Sequence, residues 1–184
     1  MIKSLAITAI SGLVIWNVAA QNLVNNGGFE DPVVASFATY AAGSTALTGW
    51  TITGDGLQHF STNIYKATGS QNIQMTLNYG APGIISQTIT TIPGAFYIMT
   101  FKVGSRNGAP VNGIAKFGDT PHPFSASGLF TTNVSTVTFT AAATSSSTTV
   151  EIEGGNPNSA SMLLIIDDVS VVQAIPGPVD MAPY

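Results

Sequence analysis

Apolar residues in this chain recur at every second position and almost nowhere at the spacing of a helical face, which restricts the fold to strands. Ile73, Met75 and Leu77 alternate with Gln74 and Thr76; Val137 and Phe139 alternate with Thr136, Thr138 and Thr140; Val150 and Ile152 alternate with Glu151 and Glu153. Each run predicts a strand with one buried and one solvated face. Between the runs stand Thr53-Gly-Asp-Gly56, Tyr79-Gly-Ala-Pro-Gly83, Ile92-Pro-Gly94, Arg106-Asn-Gly108, Asn112-Gly113 and Gly154-Gly-Asn-Pro157, whose Gly, Asn and Pro supply turn geometries. Many short strands at close spacing predict an all-β sandwich, jelly roll or barrel. The low-complexity stretch Ala141 to Thr149 is predicted to be a solvated hairpin turn.

At 184 residues the chain has the size of one domain with a full core. Charged residues make up 8% of it, against about 25% in ordinary soluble domains, so its surface is polar but nearly uncharged. A net charge of -4 with five Lys and Arg leaves no cationic stripe for a phosphate backbone, which argues against nucleic-acid and anionic-membrane partners. The absence of cysteine excludes disulfides, thiolate metal sites and a cysteine nucleophile. Lys3, the apolar run from Leu5 to Trp16 and the small residues Val18-Ala-Ala20 predict a secretory leader over residues 1–20, with Gln21 as the mature N-terminus. The alternative is a retained apolar strand or membrane anchor. The sandwich is expected over 21–173, and the Pro-rich 174–184 segment is expected to be a tail.

Five segments in order carry a resemblance: Asn22-Leu-Val-Asn-Asn-Gly-Gly-Phe-Glu-Asp-Pro32, Leu47-Thr-Gly-Trp-Thr-Ile52, Gly83-Ile-Ile-Ser-Gln-Thr-Ile89, Ile92-Pro-Gly-Ala-Phe-Tyr97 and Asp167-Asp-Val-Ser-Val171. Together they resemble the secreted DUF642 and choice-of-anchor-C type domains of the galactose-binding-like superfamily. That resemblance implies a jelly-roll β-sandwich related to carbohydrate-binding modules, with a structural Ca²⁺ bound by Glu30 and Asp167. Alternation supports an inward Asp167, on the face of Ile165, Val169 and Val171, and a buried carboxylate requires a partner. Carbonyls near Asn25 and in the Lys66 to Ser70 turn would complete an oxygen shell. The alternative is that Asp167 caps a bulge through backbone N–H groups while Glu30 sits in water.

The catalytic inventory is thin, and we expect no enzyme. Of the acidic pairs, Glu151/Glu153 are expected on a solvated face, and Glu30/Asp31 and Asp167/Asp168 to be structural; His59 and His122 are lone, with His122 expected in a loop. Candidates for a sugar surface of aromatic faces, amides and a guanidinium are Trp50, His59, Tyr65, Tyr79, Arg106 and Asn107, with Tyr79 and Arg106 in the better-placed turns. Asn133-Val-Ser135 is a glycosylation sequon at Asn133. Low charge, 45% hydrophobic content and apolar segments from Leu13 to Val24 and Val169 to Val179 suit strand addition between copies. The leading expectation is therefore a self-associating extracellular subunit of a matrix, wall or fibre. The alternative is a carbohydrate-binding module for cell-wall or matrix polysaccharide.

Overall fold

A computed structural model describes residues 21–61, 67–76, 81–130, 132–155 and 163–174. The expected leader, Leu77, the candidates Tyr65 and Tyr79, and the tail beyond Ala174 lie outside them. Eleven strands run in order: β1 Phe37–Tyr40, β2 Thr51–Gly54, β3 Leu57–Ser61, β4 Gln71–Gln74, β5 Gly83–Thr90, β6 Phe96–Ser105, β7 Val111–Phe117, β8 Thr120–Ala126, β9 Ser135–Ala142, β10 Ser147–Gly154 and β11 Leu164–Gln173. They form a six-stranded sheet in the order β1-β3-β4-β11-β6-β9 and a five-stranded sheet in the order β2-β5-β10-β7-β8. All pairings are antiparallel. Apart from β3–β4 and β7–β8, successive strands change sheet, so the chain winds as a jelly-roll sandwich.

This winding overturns the expected hairpin at Ala141 to Thr149. The chain there crosses from β9, beside β6, to β10, between β5 and β7, and it buries Ala143 and Thr148. His122 likewise lies in β8 rather than in a loop. Its neighbours Pro121 and Pro123 are tolerated because β8 is an edge strand bonded only to β7. The His122 ring stacks on Phe139 of β9, with centroids 3.8 Å apart, where the two sheets' edges approach.

The core lies between the sheets. Ile73, Met99, Phe101, Val103, Ile166 and Val171 face Ile52, Ile85, Val111, Phe117, Val150 and Ile152. Aromatic pairs bridge the layers, Tyr97 with Phe117 at 5.5 Å and Phe101 edge-on to Phe124 at 5.0 Å. The run through β4 to Thr76 departs from its expected half-burial, because the outward Asn72, Gln74 and Thr76 are buried along with Ile73 and Met75. β4 is an inner strand whose outer face is covered, so amides stand there where alternation alone predicts solvent.

The Asn22–Pro32 segment forms no strand, yet it runs along β11 as expected for the first and last parts of a sandwich. Leu23 N–H donates to Val171 O at 2.8 Å, Val171 N–H donates to Asn22 Oδ1 at 2.9 Å, and Val169 N–H donates to Gly27 O at 2.8 Å. The amide of Asn26 bonds Asp31 O and Thr48 O, and Trp50 Nε1–H donates to Asn26 O. The motif thus works as a staple between the N-terminal segment, β11 and the Trp50 turn.

Gly27 shows how tight the staple is, since a Cβ there would stand 1.9 Å from Val169 O. Gly43 makes a control, with a φ of +83° and nothing within 4 Å of its missing Cβ. Gly27→Ala is expected to lower unfolding free energy by about 3 kcal/mol through steric clash, and Gly43→Ala by about 1 kcal/mol through left-handed strain alone. Urea unfolding of both variants measures the difference. Equal losses would show that the staple yields.

Candidate functional site

Two places on the outer face of the six-stranded sheet bring polar groups together. The first is the loop 67–70, which enters β4 beneath β11. β11 carries one extra residue between Asp167 and Ser170, with Asp168 at a φ of +52°. This bulge changes the face assignment. Leu164 and Ile166 point inward before it, and Val169 and Val171 after it, while Asp167 joins Ile165 on the outer face. The expected sharing of one face by Asp167, Val169 and Val171 is therefore corrected, because alternation does not run through a bulge.

Asp167 is nevertheless fully buried, because the loop closes over it. Its Oδ2 accepts from Ala67 N–H at 3.0 Å and Thr68 N–H at 3.4 Å, and its Oδ1 accepts from Asp168 N–H at 2.7 Å. Thr68 Oγ1–H donates to Asp168 Oδ1. From the other side Glu30 Oε1 accepts from Ser70 N–H at 2.7 Å and Gln71 N–H at 3.0 Å. Gly69, at a φ of +59°, leaves room for that carboxylate, and a Cβ there would meet Glu30 Oε1 at 2.1 Å. Glu30 and Asp167 thus meet at one loop, which turns the N–H groups of Ala67, Thr68, Ser70 and Gln71 toward them. That polarity serves an anion and opposes a cation. As placed, these residues form a hydrogen-bonded clasp around the two carboxylates.

The second place is a groove of about 220 Å³ beside Phe37, Gln58, Phe60 and Arg106. Register builds it. Phe37 pairs with Phe60, and Gln58 with Gln74, so these side chains stand in adjacent ranks on the outer face. Arg106, just past the end of β6, reaches back across them. Its Cζ lies 5.2 Å from the Phe60 ring centroid, and its Nη1 donates to Gln74 Oε1 at 3.3 Å. Gln74 Nε2–H donates in turn to Gln58 Oε1 at 3.0 Å. Phe37 is 60% exposed and forms the open lip, 6.2 Å from Phe60.

Of the expected sugar contacts among the described residues, only Arg106 lines this groove. Asn107 turns its Oδ1 to Ser105 Oγ–H at 2.8 Å and to Ala109 N–H at 3.4 Å, which shapes the turn after β6. His59 and Trp50 are corrections, since both are buried. Trp50 packs 5.6 Å from Phe29. His59 lies inside with its Nε2–H donating to Phe29 O at 2.8 Å and its Nδ1 accepting from Tyr40 OH at 3.4 Å. Burial lowers the His59 pKa, partly opposed by the Phe29 bond and by Glu30, which favours the neutral ring. Its bond also satisfies the carbonyl of Phe29, a bulky residue held at a φ of +57°. Asn133 is exposed, with its Nδ2 donating to Ser127 O at 3.4 Å. Glu151 and Glu153 flank Lys116 at 2.7 and 3.9 Å on the outer face of the five-stranded sheet. Sequence reasoning missed Gln58, Phe60 and Phe37, for which the available signal was apolar residues on both faces of β3.

A sequence model of the family described as "Protein of unknown function (DUF642)" matches residues 22–172. This chain belongs to the DUF642 family. Among curated proteins, this DUF642 chain is similar to halomucin of Haloquadratum walsbyi, 30% identical over 188 residues, covering 96% of this chain and 2% of that protein. The chain therefore spans a very small part of that relative's length. Among solved structures the fold is similar to the carbohydrate-binding module TmCBM61 in complex with β-1,4-galactotriose, with a TM-score of 0.58, 14% identity and 84% of this chain and 100% of that chain covered. It is also similar to a Stig cyclase of Fischerella sp. TAU, with a TM-score of 0.60, 16% identity and 85% and 98% coverage. These likenesses, with the two antiparallel sheets, establish a jelly-roll β-sandwich fold for the DUF642 chain.

Burial pushes the Asp167 carboxyl from 3.8 up to about 7, opposed by the N–H groups of the clasp and reinforced by Asp168. A carboxyl with a raised folded pKa binds its proton more tightly in the native state, so its stabilisation is complete below the unfolded value and fades as pH rises through the folded one. His59 acts oppositely, losing stability as pH falls. The melting temperature of the wild type minus that of Asp167→Asn is therefore expected to grow as pH falls from about 7.5 to about 4.5; a pH-independent difference would contradict it. Calcium at this pair remains a proposal carried by the resemblance, and chelation tests it. The N–H clasp predicts a melting temperature unchanged by EDTA, whereas a drop that Asp167→Ala abolishes would establish the ion.

Proposed function

We propose that this DUF642 domain is a secreted, non-catalytic carbohydrate-binding module that takes a neutral polysaccharide in the Arg106 groove. The observation carrying this reading is the arrangement of groups there. A guanidinium lies over the Phe60 ring and is fixed through Gln74 to Gln58, beside the exposed face of Phe37. An aromatic face covers the apolar side of a sugar ring, while a guanidinium and amides meet its hydroxyls in fixed directions. The amide relay sets Arg106 before any ligand arrives, which reduces the ordering penalty on binding. The low charge of the chain suits a neutral ligand. The similarity of the fold to a module solved with a galactotriose supports the same reading ahead of the self-associating matrix, wall or fibre subunit.

A glycan panel that includes β-1,4-galactotriose tests this proposal, with affinity electrophoresis on the corresponding polysaccharides. At least one neutral glycan is expected to be retained. Arg106→Ala is expected to weaken that binding at least tenfold, about 1.4 kcal/mol, and Arg106→Lys is expected not to restore it, since an ammonium lacks the planar fork. Retention of no glycan, or binding unaffected by Arg106→Ala, would overturn the proposal.

A further inference from the structure

A larger cavity lies at one end of the five-stranded sheet, away from the Arg106 groove. Its volume is about 560 Å³, within the range of small-molecule sites. Ile114, Pro123, Phe124 and Pro82 form apolar walls, and Asn112 and Glu153 supply the polar side chains.

Register explains why this space exists. Ile114 of β7 pairs with Pro123 of β8 and with Glu153 of β10, so the three form one rank on the outer face. Asn112 stands two residues along β7 on the same face, and Gly155 N–H donates to Asn112 O at 2.6 Å. The position opposite Asn112 therefore carries no side chain. A Cβ on Gly155 would lie 1.7 Å from Asn112 Oδ1, so any larger residue there would displace the amide that the glycine seats. Gly113 and Gly154 pair beside it and line the cavity with backbone. Asn112 and Glu153 are thus diagonal neighbours about 7–8 Å apart along the sheet, a separation that one sugar ring spans. Lys116 steadies the Glu153 carboxylate from outside the cavity at 3.9 Å.

The geometry points to a second binding site in this cavity, for one neutral hexopyranose whose apolar face packs on the Ile114 and Pro123 wall while its hydroxyls donate to Glu153 and exchange bonds with the Asn112 amide. A carboxylate accepts two hydroxyl protons at once, and an amide both donates and accepts, which matches the mixed hydroxyls of a sugar edge. The same carboxylate repels an anionic ligand. The site is separate from the Arg106 groove, and either can exist without the other.

The test is an NMR titration of the ¹⁵N-labelled full chain with D-galactose, D-glucose and D-mannose in turn. With at least one hexose, the amides of Gly113, Ile114 and Gly154 are expected to shift saturably, both in the wild type and in Arg106→Ala. Glu153→Gln and Asn112→Ala are expected each to raise the apparent Kd at least tenfold while the rest of the spectrum stays dispersed. Absence of shifts at these amides with all three sugars, or affinity unchanged in both variants, would overturn the second site. Shifts confined to the Arg106 side would overturn it as well and leave the groove standing. Shifts confined to the Gly113 side would support it.

Discussion

The extra residue in β11 is the constraint on which the arrangement depends. Without it, Asp167 and Val169 would share a face, and a carboxylate and the inward Val171 could not both be accommodated along one regular strand. With Asp168 in the left-handed region, the strand changes register by one residue. Ile166 and Val171 then both reach the core, and Asp167 turns out beneath the 67–70 loop. The same bulge leaves Val169 N–H and O to be met by Gly27 O and by Asn22 Nδ2–H. One irregularity thus ties together the N-terminal staple, the loop clasp and the centre of the six-stranded sheet.

The groove follows from the same tying. The clasp fixes the start of β4, and β4 sets the register of β3 and hence the ranks that place Gln58 beside Gln74 and Phe37 beside Phe60. A surface this poor in charge recognises through shape, amides and rings rather than through long-range fields. Both groups of candidate contacts lie on outer sheet faces, where a pleated surface holds side chains at fixed spacing. Rigid placement of this kind suits a ligand recognised by the geometry of its hydroxyls.

Much of the fold was legible because the alternation of β9 and β10 survives into the structure, with Val150 and Ile152 inside and Glu151 and Glu153 outside. The segments quoted for the family resemblance were legible too, and in the structure they carry hydrogen bonds and packing. Asn22, Asn26 and Gly27 staple, Trp50 packs, and Glu30 and Asp167 clasp. The bulge was not legible, because an Asp-Asp doublet reads as ordinary alternation until one residue takes a positive φ. The buried amides of β4 were hidden for a related reason, since a polar residue every second position signals water whether the face is open or covered. Gln58, Phe60 and Phe37 carried no motif, and their meeting depends on pairing between strands that local sequence does not specify. His59 misled in the opposite direction, because a lone histidine looks available until its two nitrogens are seen to serve Phe29 O and Tyr40 OH.

A crystal structure of the protein with a retained glycan tests the central claim most directly. Sugar density is expected against the Phe37 and Phe60 rings, with hydroxyls within hydrogen-bonding distance of Arg106 and Gln58. Clear glycan density elsewhere on the sandwich, with the groove holding only solvent, would contradict it.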